Sequence, residues 1–154
     1  MKNNLQQNLA TIFTRRVAEM GDFPALQFKV GKNPYQSISW TDLGRVVRET
    51  ACCLAHLGLT PQSKVGIFSQ TAHLWVVADL ATLANGAVSV PIYPTSSTSD
   101  IDYILNNSKT NFVFVQNEKL LKKVLAIKDK LPEVRSFIVM YPGLDKRISI
   151  QSLN

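Results

Sequence analysis

Between Lys64 and Met140 short apolar runs alternate with helix-forming runs, and this alternation restricts the fold more than any other feature of the chain. The apolar runs are Val65-Gly66-Ile67-Phe68-Ser69, Ala87 to Ile92, Asn111 to Val115 and Arg135 to Met140. Between them Ala72 to Asn85, Asp100 to Asn107 and Lys119 to Leu131 carry helical patterns. Short apolar runs bounded by turn signals suit strands buried on both faces. Strands that alternate with helices predict right-handed crossovers and a mainly parallel sheet with flanking helices, an α/β fold.

The first 63 residues read differently. Leu5, Leu9, Ile12, Phe13, Val17 and Met20 recur at helical steps, and Gly21 is a fitting C′ residue. Ala25 to Val30 and Tyr35 to Ser39 flank Gly31-Lys32-Asn33-Pro34, which predicts a β-hairpin. Thr41 is a candidate N-cap for a helix to Leu57, with Asp42 in its first turn. Gly58 ends that helix and Pro61 keeps it from resuming. The expected organisation is one incomplete domain over residues 1–154: helix, hairpin and helix in 1–63, then βα repeats in 64–140. Tyr141 to Asn154 read as the start of something that is cut off.

Composition bounds the function class. Hydrophobic residues make up 45% and charged residues 18% of 154, as in ordinary globular proteins. The net charge is +6, but the Lys and Arg are scattered and no basic run is interleaved with aromatics, which argues against nucleic acid. Leu74 to Tyr93 is long enough to suggest a membrane span, yet it holds Asp79, Asn85, Gly86 and Pro91. An acid at mid-membrane costs roughly 3 kcal/mol, so the stretch reads as a buried helix capped by Thr71, a Gly stop and a buried strand. The amino terminus has no hydrophobic signal core. Cys52 and Cys53 are adjacent, and helical neighbours point about 100° apart, which suits a disulfide poorly. A reducing compartment, and so a cytoplasmic location, is expected.

In a parallel α/β sheet, ligands sit at the carboxyl ends of the strands. Two loops leave such ends, Ser69 to His73 and Pro91 to Thr98. Ser69, Thr71, His73, Thr95, Ser96 and Ser97 are therefore the ligand-proximal candidates. The hydroxyls of Thr95 to Ser99 have a structural reading as helix caps and a functional one as donors to a phosphate or carboxylate. His73 reads as structural, with no Cys, Asp or Glu at ligand spacing, and His56, on the helix that carries the two cysteines, has the same status, so no metal site is expected. Lys119, Lys122, Lys123, Lys128 and Lys130 oppose Leu120, Leu121, Val124, Ile127 and Leu131, an amphipathic helix that covers the sheet. Its basic face leaves peripheral contact with the inner membrane face as a further option. There is no GxxxxGK[ST], GxGxxG or GxSxG, and no catalytic residue can be assigned.

Two stretches carry more than their physics. Ile38-Ser39-Trp40-Thr41-Asp42-Leu43 resembles the first conserved segment of adenylate-forming enzymes, and Leu83 to Ile92, with Gly86-Ala87 and Val90-Pro91, resembles the second. Between them Gly58-Leu59-Thr60-Pro61-Gln62-Ser63-Lys64-Val65 is similar to the family's linking segment. Val90 to Ser97, Leu74-Trp75 with Ala78 to Ala81, and Asp102 to Ser108 resemble the long-chain acyl-CoA synthetase branch. The resemblance covers roughly residues 10 to 140. The chain departs from it at Gln62-Ser63, where a Gly-Asp turn is usual, and at Thr71-Ala72-His73.

This resemblance implies the amino-terminal part of a long-chain fatty-acid-CoA ligase. Such an enzyme joins a fatty acid to ATP as acyl-AMP, with Mg2+, and passes the acyl group to CoA. The family's phosphate loop, Thr-Glu motif, ribose-binding Asp and mobile Lys have no counterpart in these residues. The chain alone is accordingly expected to be inactive, to bind no cofactor, and to self-associate through apolar surface that the rest of the domain would cover. The alternatives are a non-catalytic α/β binding module and an adenylate-forming ligase for another carboxylate.

Overall fold

The computed structural model describes residues 8–29 and 31–140, and the backbone of 149–152. Leu5 to Gln7, Val30, Tyr141 to Ile148, Leu153 and Asn154 of the readings above lie outside the described residues. Two sheets are present among the described residues: a two-stranded hairpin and a five-stranded sheet of order β4-β3-β5-β6-β7.

Helix α1 (Leu9–Met20) starts at a capping box, in which the Asn8 side chain accepts from Thr11 N while the Thr11 hydroxyl receives from Asn8 N. Strands β1 (Pro24–Phe28) and β2 (Gln36–Ser39) pair antiparallel, as the alternation predicts. Helix α2 (Trp40–His56) is capped by Ser39, not by Thr41. Ser39 ends β2 with an extended backbone, so its Oγ meets Asp42 N at 3.1 Å, and Thr41 is already inside the helix.

From here the chain builds the parallel sheet. Strand β3 (Lys64–Phe68) lies between β4 (Val88–Ile92) and β5 (Phe112–Val115), parallel to both, and β6 (Ser136–Val139) extends the sheet parallel to β5. Strand β7 (Ser149–Ser152) closes the far edge antiparallel to β6. Helix α3 (His73–Ala84) joins β3 to β4, α4 (Thr98–Ser108) joins β4 to β5, and α5 (Glu118–Leu125) leads towards β6.

Successive residues of β3 point to opposite faces. Val65 and Ile67 enter one core with Val77, Ala78 and Ala81 of α3 and Leu43, Val47 and Leu54 of α2. Phe68 enters a second core with Ile101 and Leu105 of α4 and Leu120, Leu121 and Val124 of α5. The sheet is thus covered on both faces, α3 backed by α2 on one and α4 with α5 on the other. Gly66 lets α4 sit close: a Cβ there would lie 3.3 Å from Leu105 Cδ2 and from Val113 Cγ1.

Three expectations need correction. Strand β4 is not buried throughout: it forms an edge of the sheet, so Val88 and Pro91 are exposed and Ile92 alone in it is fully buried. Helix α3 is not enclosed all round: Val77, Ala78, Ala81 and Thr82 are buried, but Leu74, Trp75, Leu80 and Leu83 are half-buried. Its apolar surface exceeds what the neighbouring elements cover. The helix expected over Lys119–Leu131 ends at Leu125 and is followed by a 3-10 turn, Lys128–Lys130. Pro132 disfavours α geometry at Leu131. The chain tightens ahead of it through Ile127 N to Val124 O and Leu131 N to Lys128 O bonds, at 3.1 and 3.0 Å.

The turn into β3 holds Gln62 at φ 69, in the left-handed region, with its N–H bonded to Gly86 O at 2.9 Å. This is the position where the Gly-Asp turn of the resemblance would put glycine. A side chain in that region costs about 1–2 kcal/mol, and glycine forfeits part of this in unfolded-chain entropy. Gln62→Gly is expected to raise the unfolding free energy by roughly 0.5–1 kcal/mol. Urea melts of the two chains under one buffer measure it, and a lowered midpoint would contradict the account.

Candidate functional site

Strands β3, β4, β5 and β6 are parallel, so their carboxyl ends share one edge of the sheet. The chain leaves β3 by α3 on one face and returns along β4; it leaves β5 by α5 on the other face. Neighbouring strands whose connections depart to opposite faces make a topological switch point, where a crevice opens outside the strand ends. Here it lies between β3 and β5, framed by Ser69 and Gln70 on one side and Gln116 and Asn117 on the other. Gln70 N donates to Gln116 Oε1 at 3.0 Å across that opening, and Gln116 N donates to Phe68 O at 3.1 Å. Gln116 was not among the residues singled out from the sequence. A lone Gln after an apolar strand is an ordinary turn residue until the strand order is known.

The six candidates separate into three groups. Ser69 is at the crevice; it is buried and its Oγ donates to Gln70 O at 2.7 Å. Thr71 is exposed and does not cap α3: Ala72 holds the N-cap position, extended, with no side-chain bond. His73 opens α3 but turns from the strand edge to the hairpin, stacking on Phe28 with ring centroids 3.8 Å apart and planes 19° apart. The remaining three lie on the loop after β4. Thr95 is exposed, and Ser96 is half-buried. Ser97 caps α4 in a capping box: Asp100 N donates to its Oγ at 3.1 Å, and Ser97 N donates to Asp100 Oδ2 at 3.0 Å. For Ser97 the capping role is therefore present. Hydrogen bonds from the Ser97 side chain and backbone, with the charge of Lys123 adding to them, hold the Asp100 carboxyl below its usual range.

The edge also contains a cation that the sequence pattern had placed on the solvent face. Lys123 of α5 is half-buried, donates to Ser96 O and has its ammonium 6.0 Å from the centre of the Phe68 ring. Lys119 and Lys122 of the same helix are exposed, while Leu120, Leu121 and Val124 are buried against the sheet, as the amphipathic pattern predicts. Tyr93, 80% exposed, stands at the start of the loop.

Elsewhere, a groove of about 560 Å³ runs between α1, α2 and α3, lined by Phe13, Val17, Val47, Ala51, Leu80 and Ala84 among others. Ala84 ends α3, so the groove approaches the opposite end of that helix from His73. Cys52 and Cys53 are both exposed and free. Among the described residues no group of three or more His, Cys, Asp or Glu side chains comes together to hold a metal ion. Among them also, no helix is long and apolar enough to cross a membrane.

Residues 13–152 match the profile of a family described as AMP-binding enzyme. The chain belongs to the AMP-binding enzyme family. Among its relatives is the long-chain-fatty-acid–CoA ligase ACSBG2 of Xenopus laevis, 31% identical over 127 residues, covering 82% of this chain and 17% of that protein. ACSBG2 of Rattus norvegicus is 32% identical over 128 residues, covering 82% of this chain and 19% of that protein. This AMP-binding family member thus spans about a fifth of the length of such relatives. The fold is shared with acetoacetyl-CoA synthetase from Streptomyces lividans, at a TM-score of 0.78 and 23% identity, over 90% of this chain and 22% of that one. It is shared too with the A domain of carboxylic acid reductase from Segniliparus rugosus, solved with AMP and a co-purified carboxylic acid. There the TM-score is 0.79 at 18% identity, over 93% of this chain and 25% of that one.

His73 yields a pH prediction. Its Nε2 is buried with no hydrogen-bond partner, and burial pushes its pKa below the ordinary 6.5. The folded state thus prefers neutral imidazole, whereas the unfolded chain takes up a proton near pH 6.5. Stability held by His73 is full above that pH and declines as the pH falls below it. Thermal melts of wild type and His73→Phe between pH 8 and 5 should diverge on the acid side, the variant retaining more of its Tm. Parallel curves would show that His73 does not titrate on unfolding.

Proposed function

We propose that this chain is the amino-terminal part of a long-chain fatty-acid-CoA ligase, which activates a fatty acid with ATP and transfers the acyl group to CoA. The observation that carries the reading is the 31% identity to a long-chain-fatty-acid–CoA ligase over 127 residues. The chain also contains a sheet whose carboxyl edge is built like a ligand-bearing edge, with a switch point between β3 and β5.

In the proposed reaction the fatty carboxylate attacks the α-phosphate of ATP. The P–O bond to pyrophosphate breaks, leaving acyl-AMP and pyrophosphate. The CoA sulfur then attacks the acyl carbon, AMP leaves and the thiol proton is released. Charge must be neutralised on the transferring phosphate. The described residues offer little for that: they bring no metal-binding cluster together, and Lys123 already serves the Ser96 carbonyl. No chemical step is assigned to these residues. In this reading their part is to supply the sheet edge on which the substrates' site is assembled. Ser69, Thr95 and Ser96 are the candidates that lie closest to it, with Gln70 and Gln116. Placement in the cytoplasm, with peripheral contact at the inner membrane face through the lysines of α5, belongs to the same proposal.

Two outcomes check this reading. The 154-residue chain with ATP and a long-chain fatty acid is expected to give no ATP–pyrophosphate exchange, while a longer protein containing it gives fatty-acid-dependent exchange. A longer protein with no exchange for any fatty acid would remove the reading in favour of a binding module. Exchange with short or aromatic carboxylates alone would favour another adenylate-forming ligase.

The half-buried Leu74, Trp75, Leu80 and Leu83 of α3 leave apolar surface in contact with water. The isolated chain should accordingly self-associate, eluting earlier in size-exclusion chromatography as concentration rises. A constant monomer volume over a hundredfold range would contradict this.

A further inference from the structure

The lysine on α5 that leaves the solvent face is the most informative feature outside the sheet itself. Lys123 is half-buried, and burying an ammonium is unfavourable unless it gains partners. It has three kinds of partner from three elements. Its Nζ donates to the carbonyl of Ser96, 27 residues away in sequence. Its charge lies 6.0 Å from the ring centre of Phe68, the last residue of β3, which is itself fully buried. It also lowers the pKa of Asp100, the residue that completes the capping box of α4. The loop between β4 and α4 has few other ties: Ser96 N to Tyr93 O at 3.0 Å, and the Ser97–Asp100 cap. No apolar side chain from this loop enters either core.

We infer that Lys123 is the positioning residue of the Tyr93–Ser97 loop: its ammonium clamps the Ser96 carbonyl to the carboxyl end of β3, and so fixes which groups that loop presents at the sheet edge. With Ser96 O turned toward α5, the outward groups are the Thr95 hydroxyl and the Tyr93 ring, both exposed. An uncharged side chain of the same length would keep the packing of the stem on Phe68 but release the carbonyl. The inference goes beyond the ligase reading and holds whichever ligand reaches the edge.

The test is amide hydrogen exchange on the 154-residue chain, comparing wild type, Lys123→Met and Lys123→Arg. The amides to watch are Ser96, Ser97 and Asp100, which are all hydrogen-bonded in the clamped loop. Lys123→Met should speed their exchange at least tenfold and leave the amides of β3 and β5 within twofold of wild type. Lys123→Arg, which restores a donor and the charge, should return the loop to within threefold. The inference is overturned by loop exchange unchanged in Lys123→Met, or by equal acceleration in the loop, β3 and β5. The second would mark Lys123 as a general stabiliser. An Arg variant as fast as the Met variant would also refute it, because the clamp requires the cationic donor.

Discussion

Strand β3 is the element on which the rest of this domain rests. It pairs in parallel on both sides with strands reached by different crossovers, β4 through α3 and β5 through α4. Val65, Ile67 and Phe68 have no exposed surface, and full burial of such side chains is worth about 1.5–3 kcal/mol each. Because Val65 and Ile67 face one core and Phe68 the other, these residues couple two layers of helices that otherwise share only the sheet. Gly66 sits between them for a steric reason, since Leu105 and Val113 occupy the space a side chain would need. The same strand ends at Phe68, next to Ser69, so the point where the two cores are tied together is also where the crevice opens.

Much of this architecture is legible in the amino-acid order, and the illegible parts share a cause. Four apolar runs separated by helical patterns are enough to give β3, β4, β5 and β6 and their parallel sense. A stretch such as Phe112-Val113-Phe114-Val115, buried at every position, has few other places to go. The hairpin and α1 follow from local alternation and periodicity. What the sequence withholds is lateral order. Nothing local says that β3 lies between β4 and β5, and without that order the switch point and Gln116 cannot be found. The hydroxyl loops could be named from the strand ends, but their roles could not. Ser97 proved to be a cap, Thr71 was displaced from the cap by Ala72, and His73 turned to Phe28 because α3 packs against the hairpin. Lys123 was hidden by its company, as one lysine among five in a stretch whose polar face predicts solvent.

Departures from a family pattern also acquire physical meaning once backbone angles are known. Gln62 takes a left-handed conformation in the turn before β3, where its N–H bonds Gly86 O in the turn before β4, so the chain tolerates a local penalty to keep that connection. Ser39 similarly serves two elements, ending a strand and capping a helix, and so sets the corner between the hairpin and α2. Junction residues of this kind carry more of the fold's geometry than their exposure suggests.

The passage of the chain through α4 from β4 to β5, on opposite sides of β3, has a consequence for how the chain comes off the ribosome. The bond between Gln70 and Gln116 spans 46 residues, and that between Lys64 and Asn111 spans 47. At roughly 5–20 residues per second, β3 waits some seconds with one flank bare before β5 emerges to pair with it. Through that interval the apolar run Val65–Phe68 must be shielded by whatever is already made, namely α2, α3 and β4. The N-terminal helices therefore act as a scaffold in time as well as in space, sheltering the first half of the sheet until its second half is synthesised.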